Sequence, residues 1–127
     1  MSRAQPAPKH DQDLALLAQR ARQFLVHSFL YYRLGEPIVP DKTFDKLAAE
    51  LRALRQAHPQ APMPYAEVLD KVLGPEESGF QIREYPPEIV STAFKLLYAT
   101  SSPQEDFVEF VERRGYRASL PGAEPQA

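Results

Sequence analysis

Five side chains in the first half of the chain have types and spacing suited to holding a flat ring attached to a sugar. They are Tyr31, Tyr32, Asp41, Phe44 and Asp45. An aromatic face attracts a planar ring by stacking, and attracts a cationic one further through the ring quadrupole. Carboxylates accept hydrogen bonds from sugar hydroxyls, as acidic residues do in dinucleotide-binding folds. Asp41 and Asp45 are one helical turn apart and share a helix face. Each residue also has a plain structural use. Asp41 suits a helix N-cap, and Asp45 suits the positive end of the helix dipole. Tyr31 fits core packing as well as ring stacking, Tyr32 fits an amphipathic surface position, and Phe44 opens the apolar stripe of its helix.

These residues need two helix ends brought side by side. Leu14, Leu17, Ala21, Phe24, Leu25 and Phe29 recur at helical spacing and predict a first helix from about Asp11, its N-cap, to Leu34, closed by Gly35 and Pro37. Phe44, Leu47, Leu51 and Leu54 predict a second helix from Asp41 to about His58, which Pro59 ends. The short link from Gly35 to Pro40 favours an antiparallel helical hairpin. Three shorter helices follow. One covers Tyr65–Leu73 with Gly74 as its stop, and another runs from Pro87 to about Thr100. The last is signalled by Ser102, Pro103 and Glu105, with Phe107, Phe110 and Val111 facing inward and Gly115 at its end. Pro75 to Glu84 reads as a loop, with a brief extended piece at Phe80–Ile82. The expected fold is all-α, about five helices, the N-terminal hairpin packed on three shorter helices. Residues 11–118 form one domain, with 11–60 as the hairpin and 61–118 as additional helices. Residues 1–10 and 119–127, polar and proline-bearing, read as disordered tails.

The chain as a whole narrows the chemistry. A formal net charge of -2 does not indicate direct DNA binding. With Cys 0, disulfides, thiolate zinc sites and cysteine nucleophiles are excluded. His27 has no companion at metal-ligand spacing, so no metal is expected. His58 suits an interaction with the end of the second helix. Lys42, Lys46, Arg52 and Arg55 read as a solvated face, and Arg113, Arg114 and Arg117 as cations complementing a helix C-terminus. No signal peptide or apolar run long enough for a membrane span is visible, and a cytoplasmic location is expected. No nucleophile–base pair or glycine-rich phosphate loop marks independent catalysis.

The segment His27–Gln60 resembles the N-terminal module of bacterial NAD-dependent DNA ligases. The pieces that match are Tyr31-Tyr32, Pro37, Asp41, Phe44-Asp45, Leu47, Glu50-Leu51, Leu54 and His58-Pro59. From Ala61 onward no such likeness is evident. The resemblance implies a module that holds the nicotinamide mononucleotide half of NAD against an adenylyltransferase core. That core carries a Lys-x-Asp-Gly motif, which these 127 residues lack. Two positions depart from the family pattern: Tyr32 stands where the family has histidine, and Phe44 where it has tyrosine. Phe44 offers no hydrogen bond, which leaves a phosphate contact to Tyr32 or Arg33. The partner implied is an adenylyltransferase core, as in a split ligase. The alternative is another protein docking on a helical scaffold whose ligand site has decayed. Two carboxylate hydrogen bonds contribute roughly 1.5–3 kcal/mol each and stacking about 1 kcal/mol. Association costs at least ~4 kcal/mol, so the expected affinity for NAD or the mononucleotide is weak, about millimolar.

Overall fold

The computed structural model describes residues 9–73, 82–118 and 123–125. Helix α1 runs from Lys9 to Ser28 and continues into a single π-helical turn, Phe29–Arg33. Asp11 lies inside the first turn of α1, not at its cap, because the helix opens earlier than the periodicity indicates. Helix α2 spans Asp41–Ala57, α3 Ala66–Leu69, α4 Pro87–Ser101 and α5 Phe107–Glu112. The all-α expectation holds apart from one short antiparallel pairing. Strand β1, Tyr116–Ala118, pairs with β2, Ala123–Pro125, with Arg117 opposite Glu124. The expected stop at Gly74 and the extended piece from Phe80 lie outside the described residues. So do most of the two expected tails; Lys9 and His10 open α1 and Ala123–Pro125 forms β2.

Contacts along α1 and α2 run in opposite order, which fixes the hairpin as antiparallel. His58 meets Asp13 through a ring nitrogen 3.0 Å from the carboxylate. Arg20 pairs with Glu50 at 2.9 Å, and Phe24 stacks on Phe44 with centroids 5.5 Å apart. The His58 ring therefore bridges to α1 and does not serve the end of its own helix; only its backbone N–H closes α2, on Leu54 and Arg55. Helix α1 forms the spine of the core. Leu17, Ala21, Leu25, Phe29 and Leu30 are fully buried and meet Ile89, Ala93, Phe94 and Leu97 of α4 within one cluster. Phe94 packs edge-on to Phe29 at 5.7 Å and to Tyr116 at 5.1 Å, the arrangement that ring quadrupoles favour.

Two helix starts differ from the sequence expectation. Asp41 does not cap α2. Pro40 occupies the cap position in an extended conformation and makes no side-chain cap bond, so Asp41 is the first helical residue. At α5 the cap is Asp106 and not Ser102. The Asp106 carboxylate accepts from the Glu109 backbone N–H at 2.9 Å, and Glu109 reaches back to the Asp106 N–H. Ser102 instead takes a left-handed conformation, φ 49°, that terminates α4.

Ion pairs then tie the later helices to the hairpin. Arg114 binds Glu36 through two hydrogen bonds, 2.7 and 2.9 Å, and its guanidinium lies 3.8 Å from the Phe110 ring centroid. Arg55 binds Asp70 through two more, at 3.0 and 2.8 Å. The expected solvated face and dipole-complementing cations thus include two tertiary clasps.

Two stability predictions follow from this packing. Replacing Phe94, fully buried, with alanine should lower unfolding free energy by about 3–5 kcal/mol; urea titration measures it, and a loss under ~1 kcal/mol would contradict the core described. The second concerns Glu36, whose carboxyl is held below the usual range by the hydrogen bond from Arg114, against a smaller opposing effect of burial. A depressed folded-state pKa gives stability that is present above the ordinary glutamate range and fades as pH falls through the folded value. Glu36→Gln should therefore be less stable than the parent at neutral pH, and the difference should close in strong acid. Equal midpoints at neutral pH would rule out the clasp.

Candidate nucleotide site at the hairpin end

The π turn positions the aromatic pair. The Leu34 N–H donates to the Phe29 carbonyl, five residues back, at 3.0 Å, and the Glu36 N–H reaches the Leu30 carbonyl at 2.8 Å. Such a turn is wider than an α turn, so successive side chains rotate by somewhat less. The Tyr31 and Tyr32 rings stack on one another, centroids 4.7 Å apart and planes 20° from parallel. Gly35 follows at φ 67°, a left-handed conformation that glycine adopts freely, and the chain turns back toward α2.

Phe44 sits beneath the pair. It is buried, 5.5 Å from the Tyr31 ring and 6.1 Å from that of Tyr32, and its other neighbour is Phe24. Tyr31 is half-buried, while Tyr32 is exposed at 37% and leaves aromatic surface open to solvent. Asp41 and Asp45 are both exposed on the first turns of α2. The Tyr31 hydroxyl donates a hydrogen bond to Asp41. That bond, followed by the Asp41 charge and then smaller contributions including Tyr32 and Asp45, raises the phenol above its ordinary value. Because Asp41 is not occupied as a cap, its carboxylate is available for this contact.

All five residues expected from the sequence therefore converge. Rings and carboxylates share one end of the hairpin, and the chemistry offered is an exposed aromatic face beside two negative charges. Arg33 turns elsewhere. Its guanidinium donates to the backbone carbonyls of Ile82 and Arg83 and lies 5.3 Å from the Tyr85 ring centroid. The sequence reading offered Arg33 for phosphate contact but did not anticipate this clamp, because its partners are carbonyls some fifty residues away. Among the described residues, no group of three histidine or carboxylate side chains is placed to hold a metal.

Residues 10–64 match the family described as DNA ligase-like, N-terminal NAD+-binding domain. This segment is similar to the N-terminal module of DNA ligases. The chain is 32% identical over 112 residues to a DNA ligase of Pseudomonas paraeruginosa, and 31% identical over 112 residues to one of Pseudomonas aeruginosa. Each match covers 85% of this chain and 13% of the ligase. A Roseiflexus DNA ligase is 45% identical over 42 residues, 33% of the chain and 6% of that ligase. Coverage of 85% carries the likeness beyond Ala61, where the sequence reading saw none; the later helices contribute to it without a short motif of their own. The chain spans only about an eighth of the ligases it matches. No solved structure gives a significant match.

The contact between Tyr31 and Asp41 makes a simple electrostatic prediction. Asp41→Asn removes the negative charge that opposes ionisation of Tyr31, so the Tyr31 ionisation midpoint, followed by NMR of its ring carbons, should fall toward the ordinary tyrosine value. A midpoint that does not move would refute the contact.

Proposed function

We propose that this end of the hairpin binds the nicotinamide mononucleotide half of NAD. The observation that carries the reading is the convergence on Tyr31, which stacks with Tyr32, lies over Phe44, hydrogen-bonds Asp41 and feels the charge of Asp45. A cationic nicotinamide ring stacks on the exposed face of the tyrosine pair and is drawn by the carboxylates as well as by the rings. Asp45 accepts ribose hydroxyls. Asp41 keeps a second carboxylate oxygen for the same purpose while the first holds Tyr31. The match to a family whose description is an NAD+-binding domain supports the same ligand.

Affinity on this surface alone is weak. The platform is open, and two carboxylate contacts with one stacked ring leave at most about 3 kcal/mol after association costs, the millimolar range at best. A second surface would close over the ligand and exclude water. We assign that role to an adenylyltransferase core lying outside these 127 residues. The lysine chemistry of such a core has no counterpart here, since no Lys-x-Asp-Gly is present.

Titration with nicotinamide mononucleotide, read by NMR, should shift the Tyr31, Tyr32 and Asp45 resonances with a dissociation constant of about a millimolar. Asp45→Ala should weaken binding roughly tenfold, the worth of one hydrogen bond to a charged group, with folding unchanged. Silent resonances at tens of times that concentration would defeat the assignment.

A further inference from the structure

Arg33 ends the π turn, and its side chain leaves the hairpin for the segment before α4. One guanidinium nitrogen donates to the carbonyls of Ile82 and Arg83, at 3.4 and 2.5 Å, and the group lies 5.3 Å from the Tyr85 ring centroid. Carbonyls suit a side chain that has five donors and no acceptor, and the ring adds a cation–π contact. Tyr85 is itself buried and packs edge-on against Phe29 at 5.2 Å. Phe29 opens the same turn. One ring therefore meets both ends of the turn, the buried Phe29 and the exposed Arg33. Tyr31 and Tyr32 lie between those ends.

π turns are rare, so the surroundings must hold this one. Its backbone bond from Leu34 to Phe29 is one restraint, and the Arg33 clasp is a second, made from outside the hairpin. Within the pair, Tyr31 is fixed by Asp41 and by Phe44 beneath it. Tyr32 is the more exposed ring and directly precedes Arg33 in the chain. Anchoring Arg33 sets the backbone direction from which the Tyr32 ring projects.

We propose that Arg33 is a positioning residue for nicotinamide binding: clasped to the segment before α4 and to Tyr85, it holds the Tyr32 ring in the stacked orientation that the ligand meets. This rests on reading the Tyr31–Tyr32 face as the nicotinamide site. Arg33 touches no part of the ligand, its phosphate included. The other half of the clasp, Ile82 to Tyr85, lies beyond residues 10–64, which match the NAD+-binding family, so the later part of this chain helps to shape the site.

NMR on Arg33→Ala tests the clasp and its purpose together. Without ligand, the Tyr32 ring-proton shifts should move toward those of an unstacked tyrosine. Nicotinamide mononucleotide and nicotinamide riboside, which lacks the phosphate, should both bind about fivefold more weakly than to the parent, the worth of one neutral hydrogen bond. Arg33→Lys keeps a donor for the carbonyls but not the planar fork, and should show the same changes in smaller degree. A loss confined to the mononucleotide makes Arg33 a phosphate contact and overturns the positioning role. Unmoved Tyr32 shifts overturn it too, as does a lower melting midpoint with both affinities unchanged. A parent protein whose Tyr31 and Asp45 ignore the mononucleotide defeats the nicotinamide site, and the positioning role with it, whatever the ring shifts of the variant.

Discussion

A column of aromatic rings joins the interior of this protein to its surface. Phe24 in the core stacks on Phe44 of α2, and Phe44 supports the Tyr31–Tyr32 pair. Phe44 therefore serves two purposes with one side chain. It closes the hairpin by burying itself between α1 and α2, and it forms the floor on which the exposed rings rest. Burying a phenylalanine contributes about 1.5–3 kcal/mol, far more than any single surface contact nearby. The rings at the candidate site are held where the core puts them. A ligand arriving there meets side chains already restrained and loses less free energy to ordering them.

The remaining architecture keeps that column in register. Polar contacts flank it along the hairpin, from Asp13–His58 at one end through Arg20–Glu50 toward the rings. Exposed ion pairs contribute little each. Arg114–Glu36 differs because its geometry is bidentate, the Arg114 side chain is mostly covered at 14% exposure, and its guanidinium also lies over Phe110. It fastens the exit of α5 to the loop between α1 and α2, so the C-terminal helices hold the same loop that sets the spacing between the tyrosines and the carboxylates.

Much of this was legible in the residues. The bounds of α2 and α4 followed from Pro40, Pro59 and Pro87, because proline restricts its own backbone and that of its predecessor. The convergence of Tyr31, Tyr32, Asp41, Phe44 and Asp45 was foreshadowed by a spaced pattern across two helix ends, and the short link between the helices was enough to bring them together. Capping was less legible. Ser102-Pro103 and Asp106 followed by Glu109 are both reasonable helix starts, and local chemistry alone does not rank them. The structure favours Asp106 because Ser102 is already used to end α4. Contacts between distant residues were beyond reach: nothing near Arg114 announces Glu36, and nothing near Arg33 announces the carbonyls it grips. The π turn likewise leaves no mark that a period of 3.6 residues would expose, since Phe29 and Leu30 stay on the buried face whichever way the helix ends.

That turn fixes the length of the segment more tightly than its composition. A π turn accommodates one residue more than an α turn between the same two anchors, here buried Phe29 and the loop that carries Glu36. Deleting any one residue from Leu30 to Arg33 would let an ordinary helical turn close between the same anchors, and the change would fall on the turn itself, where Tyr31 and Tyr32 lie. Substitutions here are read one side chain at a time, whereas a lost codon would re-aim the whole turn and the ring pair on it. Within this stretch, spacing is the heritable quantity, and drift in sequence is tolerated only so long as the count is kept.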